Sequence, residues 1–270
     1  MASRGWHYWV FGPSPDVEEI LGPYTSLGEA RVAATCVRGP ADLRRTPFSG
    51  GIAEHVETVE SAREDGLTAE RDCVVRKLES AAGPIDQLDL PESAGIYAVW
   101  PSEAGALSDL GLREFDGQVP LAERPLYLGK EERSLTRRVA TTHFASGDTG
   151  HSTLRRSLGA LLDLESTPRK SRQATPDEKQ LATLIQNYDL EEADDERLTE
   201  WMSKNLTVSV APSSWKPLRD LERAVGAVLK PPLDQDRPPM WEPNPWREQV
   251  ALVRGRLRER ARRAAEQSYG

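Results

Sequence analysis

Two short runs of β-branched and aromatic residues, each with a tyrosine close to a glycine, constrain this chain more than any other feature. The first is Gly95-Ile96-Tyr97-Ala98-Val99-Trp100 and the second is Pro125-Leu126-Tyr127-Leu128-Gly129. Such residues favour strands. A helix start at Ser134 follows, with Leu135, Val139 and His143 at i, i+4 and i+8 on one face. Arg138 lies beside that face, where its planar fork can reach a phosphate. Seven Lys/Arg against three acids leave the segment from Arg124 to Arg156 at about +4, although the whole chain carries a formal net charge of −8. The acidic total argues against indiscriminate nucleic-acid binding, and a local basic face with acidic flanks fits selective contact with a phosphate backbone.

Residues 1–88 read as an α+β accessory domain. Trp6–Phe11 is an expected strand, Ser26 to Glu29 has the spacing of a capping box for a short helix to about Val37, and Thr68 to Ala82 has helical spacing. Ile52 to Glu64 fits strand and helix equally. A central domain over 89–240 carries insertions at 101–124 and 163–200. Its third strand is marked by Leu206, Val208 and Val210 alternating with polar residues. The expected fold is α+β, a small three-stranded sheet, antiparallel or mixed, flanked by helices. Gly129 is expected to let the backbone turn before Lys130. Residues 241–270 read as a basic amphipathic helix. No stretch approaches the ~20 apolar residues of a membrane span, and Met1 to Val10 has no signal-peptide pattern. Cys36 and Cys73 match no metal spacing and read as thiols in a reducing cytoplasm.

The tyrosine and glycine runs, with Arg138 on the helix behind them, resemble the GIY-YIG nuclease superfamily. In that superfamily a glutamate on the helix after the third strand holds a single divalent metal, and Glu222 occupies the matching place. A carboxylate bordering an apolar stripe is costly unless paired or coordinated, so a salt bridge to Arg219 or to an arginine across the core is the competing role. Lys230-Pro231-Pro232-Leu233-Asp234 resembles the Pro-rich helix end of the family, with Asp234 where an asparagine is usual.

The resemblance implies a metal-dependent DNA endonuclease, with Mg²⁺ as cofactor and Mn²⁺ as a substitute, acting in restriction or phage defence. A repair or recombination nuclease, a catalytically silent DNA-binding module and an unrelated interaction protein stay open as alternatives, and so does a homodimer. Phosphodiester hydrolysis needs a base for water and positive charge on the phosphate. Tyr97 and Tyr127 are expected to orient or deprotonate the water, with Arg138, Lys130 and the metal favouring a phenolate. His143 or His151 would share the proton work, and Arg138 would bind the scissile phosphate. Arg137, Arg155, Arg156 and Asp234 are expected as further substrate contacts.

Overall fold

The computed structural model describes residues 6–11, 20–24, 42–47, 52–171, 176–236 and 238–269. By Cα proximity the chain divides into two units, 1–69 and 70–270. In the first, β1 (Trp6–Phe11) is flanked by β2 (Ile20–Tyr24) and β3 (Asp42–Pro47) in an antiparallel sheet ordered β2-β1-β3. Ile52–Ser80 forms one continuous helix, α1, which resolves the strand-or-helix ambiguity of 52–64 in favour of helix. The helix expected between Ser26 and Val37 lies outside the described residues.

The second unit is built on β4 (Gly95–Pro101), β5 (Tyr127–Glu131) and β8 (Leu206–Pro212), ordered β5-β4-β8 and antiparallel throughout. Between them come α2 (Ala104–Leu110), α3 (Thr153–Leu161), the short β6 (Ser166–Thr167), α4 (Glu178–Gln186), β7 (Asp189–Leu190) and α5 (Glu192–Asn205). After β8 follow α6 (Leu218–Leu229) and α7 (Arg247–Tyr269). Ile96, Tyr97, Ala98 and Val99 are all fully buried, so both faces of the middle strand are covered. A Cβ at Gly95 would meet the Ala211 carbonyl at 2.5 Å and Leu135 Cδ1 at 2.8 Å. Only glycine there lets the third strand and the following helical turn close on β4.

Gly129 does not turn the chain, contrary to expectation. It lies inside β5, opposite Tyr97, and the strand continues through Lys130 and Glu131. The insertion after β4 is a folded element, with Ala106, Leu110, Leu112 and Leu121 buried. It is closed by Arg124, whose guanidinium lies over Trp246 at 5.1 Å and donates to the Lys230 carbonyl at 3.1 Å. The C-terminal helix packs on its own domain: Val250, Leu257, Ala261 and Ala265 are buried, and Ser166 Oγ donates to the Leu257 carbonyl at 2.6 Å.

Candidate active site

The two motif tyrosines meet on one face of the sheet. Tyr97 pairs with Gly129 and Val99 with Tyr127, so alternation along antiparallel strands puts Tyr97 and Tyr127 on the same side. Their ring centroids are 6.2 Å apart. Tyr97 is fully buried and Tyr127 is half-buried beside it. The phenol of Tyr97 lies directly over Gly129, where any Cβ would overlap it. That close approach explains the second motif glycine.

The segment after Ser134 is wound as a π-helix over Arg137–His143, and Phe144 N–H donates to the Val139 carbonyl, five residues back, at 3.1 Å. Arg138 and His143 would point about 140° apart on an α-helix at 100° per residue. The wider i→i+5 turn brings them to one side. His143 Nε2 is 2.6 Å from the Tyr97 hydroxyl, and the Arg138 guanidinium faces the same oxygen, close enough to act on it by charge and hydrogen bonding. Arg138 also donates to the His151 carbonyl at 3.3 Å. His151 therefore contributes its backbone, while its exposed ring lies 3.4 Å from Asp148.

Sequence reasoning expected a tyrosine whose proton is loosened by its neighbours. In the free protein the balance runs the other way. Burial, followed by the neighbouring Tyr127, raises Tyr97 well above the usual phenol value, and this outweighs the downward pull of Arg138. Burial likewise raises Tyr127. His143 is pushed well below 6.5 by burial, with Arg138 and Arg155 adding to the effect, so its ring is neutral at pH 7. The resting site holds phenols and a neutral imidazole until further positive charge arrives.

Arg155 and Arg156 point inward, which corrects their expected placement as substrate contacts. Arg155 is fully buried. Its guanidinium donates to Thr149 Oγ1 at 2.8 Å, to the His143 carbonyl at 3.0 Å, and to Asp195 Oδ1 at 2.7 Å. Asp195 comes from the acidic insertion, so one task of that segment is to neutralise the cation behind the site. Arg156 is also buried, and it donates to the Gly150 carbonyl and to Asn187 Oδ1. Arg137 stays exposed, 3.9 Å from Glu131.

Glu222 reaches the same region from α6, whose Leu218, Leu221 and Val225 are buried in the core. Lys130 lies on the outer strand β5, near enough for its charge and then its backbone N–H to favour the ionised Glu222 carboxylate. The Lys130 ammonium goes elsewhere, to Glu132 at 2.9 Å. Glu222 is 8% exposed and, among the described residues, forms no ion pair with Arg219 or any other cation. Burial, then the charge of Asp236, pushes its carboxyl up to about 7. Asp236, which sequence reasoning missed, is placed by Asp234. The latter is buried, and its two oxygens accept the backbone N–H of Asp236 at 2.9 Å and of Met240 at 2.8 Å. Asp234 thus shapes the loop instead of contacting substrate. The only sequence signal for Asp236 is a second acid two residues further into the Pro-rich segment.

The donors fit a hard divalent cation. Among the described residues no group of three or more His, Cys, Asp and Glu is placed to hold a metal. Mg²⁺ asks for less, because it keeps several waters and takes one or two carboxylates together with substrate phosphate. An unpaired buried carboxylate with a second acid in its field suits that demand, and a cation would relieve the cost of ionising it.

A family model described as the GIY-YIG catalytic domain matches residues 95–256, more than half of the chain. The chain belongs to this family, whose members are nucleases acting on DNA and generally dependent on a divalent metal. Neither a curated protein nor a solved structure matches the chain significantly. Among the described residues no helix is long and apolar enough to cross a membrane.

Proposed function

We propose that this protein is a DNA endonuclease that hydrolyses phosphodiester bonds with Mg²⁺, for which Mn²⁺ can substitute. The observation that carries this reading is that the rings of Tyr97 and Tyr127 lie 6.2 Å apart on one sheet face, with Arg138 and Glu222, from two helical segments, both near enough to act on the two hydroxyls. A structural salt-bridge network would pair Glu222 with a cation; among the described residues it forms no ion pair, and Lys130 and Arg219 act on it only through their fields.

Arg138 holds the scissile phosphate in the crevice, where its fork offers two donors to non-bridging oxygens. The tyrosine pair first loses one proton to solvent. It then takes a proton from the attacking water as the water oxygen bonds to phosphorus. The bond from phosphorus to the 3′ oxygen breaks, and that oxygen takes a proton from solvent. Glu222, with Asp236 beside it, would hold the metal, which supplies positive charge to the phosphate and to the departing oxygen. Arrival of that positive charge is also what would lower the proton affinity of the buried phenols.

Nicking of supercoiled plasmid by the wild type in Mg²⁺, absent with chelator and absent in Glu222→Ala, is the expected result. Unchanged cleavage by Glu222→Ala would remove the metal role assigned to this residue. A role in restriction or phage defence rests on the accessory first unit and the two insertions, which suit a stand-alone nuclease. It is tested by phage plating on cells expressing wild type or Glu222→Ala, and equal plating would exclude it.

A further inference from the structure

His143 is fully buried, and each of its ring nitrogens has one oxygen within hydrogen-bond distance. Nε2 is 2.6 Å from the Tyr97 hydroxyl and Nδ1 is 2.6 Å from Ser152 Oγ. Ser152 is itself fully buried and caps α3, its oxygen accepting the backbone N–H of Arg155 at 3.0 Å. A hydroxyl has a single hydrogen to give. With Arg155 as a donor to Ser152, the acceptor left among the described residues for the Ser152 hydrogen is His143 Nδ1. If the hydrogen goes there, Nδ1 is satisfied and Nε2 carries the ring proton, which it donates to the Tyr97 oxygen. The reverse order, with Tyr97 donating to Nε2 and Nδ1–H donating to Ser152, strands a buried hydroxyl hydrogen. A buried donor without an acceptor loses its hydration and gains nothing in return, so that order is disfavoured.

We propose that Ser152 fixes His143 in the Nε2–H tautomer, so that the imidazole is a donor to the Tyr97 oxygen and not the acceptor of its proton. The consequence for catalysis rests on the nuclease reading; the tautomer itself does not. The donor direction then runs outward, from Ser152 to His143 to Tyr97, and leaves the Tyr97 hydrogen pointing toward the Tyr127 side of the site. A phenolate formed on the tyrosine pair is held by donors from behind, the arrangement that stabilises a developing anion without reorganisation. The same turn of α3 fixes the histidine's main chain, because the Arg155 guanidinium donates to the His143 carbonyl at 3.0 Å. Ser152 and His143 are thus positioning residues. The low proton affinity of the buried ring agrees with a neutral imidazole carrying one proton.

The test is a long-range ¹H–¹⁵N correlation spectrum of the full chain labelled with ¹⁵N-histidine. The chain has four histidines, and His143→Gln identifies the signals by their loss. The expected wild-type spectrum shows one protonated and one bare nitrogen at His143, with Nδ1 bare at neutral pH. Ser152→Ala should lose this fixed tautomer and slow single-turnover cleavage in Mg²⁺ about tenfold or more, with DNA affinity in Ca²⁺ within about twofold of wild type. Ser152→Thr, which keeps the hydroxyl, should restore both. A wild-type ring protonated on Nδ1 would overturn the inference, and so would a Ser152→Ala spectrum identical to wild type. The wild-type spectrum decides the matter even if Ser152→Ala fails to fold. The expected tautomer in a wild type that never cleaves DNA would support the assignment and sink the nuclease reading.

Discussion

Tyr97 and Gly129 face each other across β4 and β5, and the phenol of the first occupies the volume a side chain of the second would need. With its ring over Gly129, Tyr97 brings its hydroxyl within 2.6 Å of His143 Nε2.

Gly129→Ala should therefore displace the Tyr97 ring and open its 2.6 Å contact with His143. Overpacking of this kind costs about 1–3 kcal/mol. Cleavage should fall further than stability does, by about 100-fold or more, because the reaction depends on sub-ångström placement. Thermal unfolding and single-turnover cleavage on the same sample check this, and near-wild-type cleavage would show that the ring position is immaterial.

Glu222→Gln should stabilise the protein at high pH. The Glu222 carboxyl is pushed up from 4.5 to about 7, chiefly by burial, so folding takes up a proton between those values. With a raised folded value, the stability linked to this group is complete below about 4.5 and is lost as pH rises through about 7. In chelator at pH 8 the variant should exceed wild type by about 1–3 kcal/mol, and the gap should close toward pH 4. Denaturation across that pH range decides it; a constant gap would mean that the charge is not what destabilises the site.

Tyr97→Phe and Tyr127→Phe should each slow cleavage while leaving DNA affinity in Ca²⁺ nearly unchanged. The two hydroxyls share one environment, and each shifts the other's proton affinity. Groups that act as a unit lose their function together. The double variant should thus be little slower than the worse single one, whereas multiplied losses would show two independent roles.

Arg138→Ala should weaken both binding and cleavage, because its phosphate contact is present before and during the reaction. The slope of affinity against salt should also become shallower by about one unit. Full activity in this variant would remove the phosphate clamp.

Much of the central fold was legible because β-strands advertise themselves by alternation. Gly95–Pro101 and Leu206–Pro212 fall where the pattern puts them, β5 runs two residues past Gly129, and Leu221 and Val225 mark the buried face of α6, whereas Val228 at the same spacing is 47% exposed. What escaped depends on partners far away in sequence. Nothing near Arg155 reveals that Asp195, forty residues on, will bury it. Lys130 reads as a cation for the site, yet its ammonium pairs with Glu132 and reaches Glu222 only through its field. Asp236 becomes relevant only once Asp234 has folded its loop.

The winding of the segment after Ser134 was the least legible feature, and it yields a sharp test. Leu135, Val139 and His143 are all buried, as α-helical spacing expects, but Arg138 shares His143's side only because of the extra residue in the π-turn. Deleting the exposed Thr141 would place the arginine and histidine four apart, and residues four apart share one face of an α-helix. The deletion variant should therefore relax to α winding, keep its fold and retain measurable cleavage. Inserting an alanine after Thr141 puts them six apart, which neither winding accommodates as well, and should abolish cleavage. Circular dichroism, the His143 spectrum and single-turnover rates on both variants separate the outcomes. Equal loss in both would show that the site depends on the π-turn's own backbone instead of on the shared face.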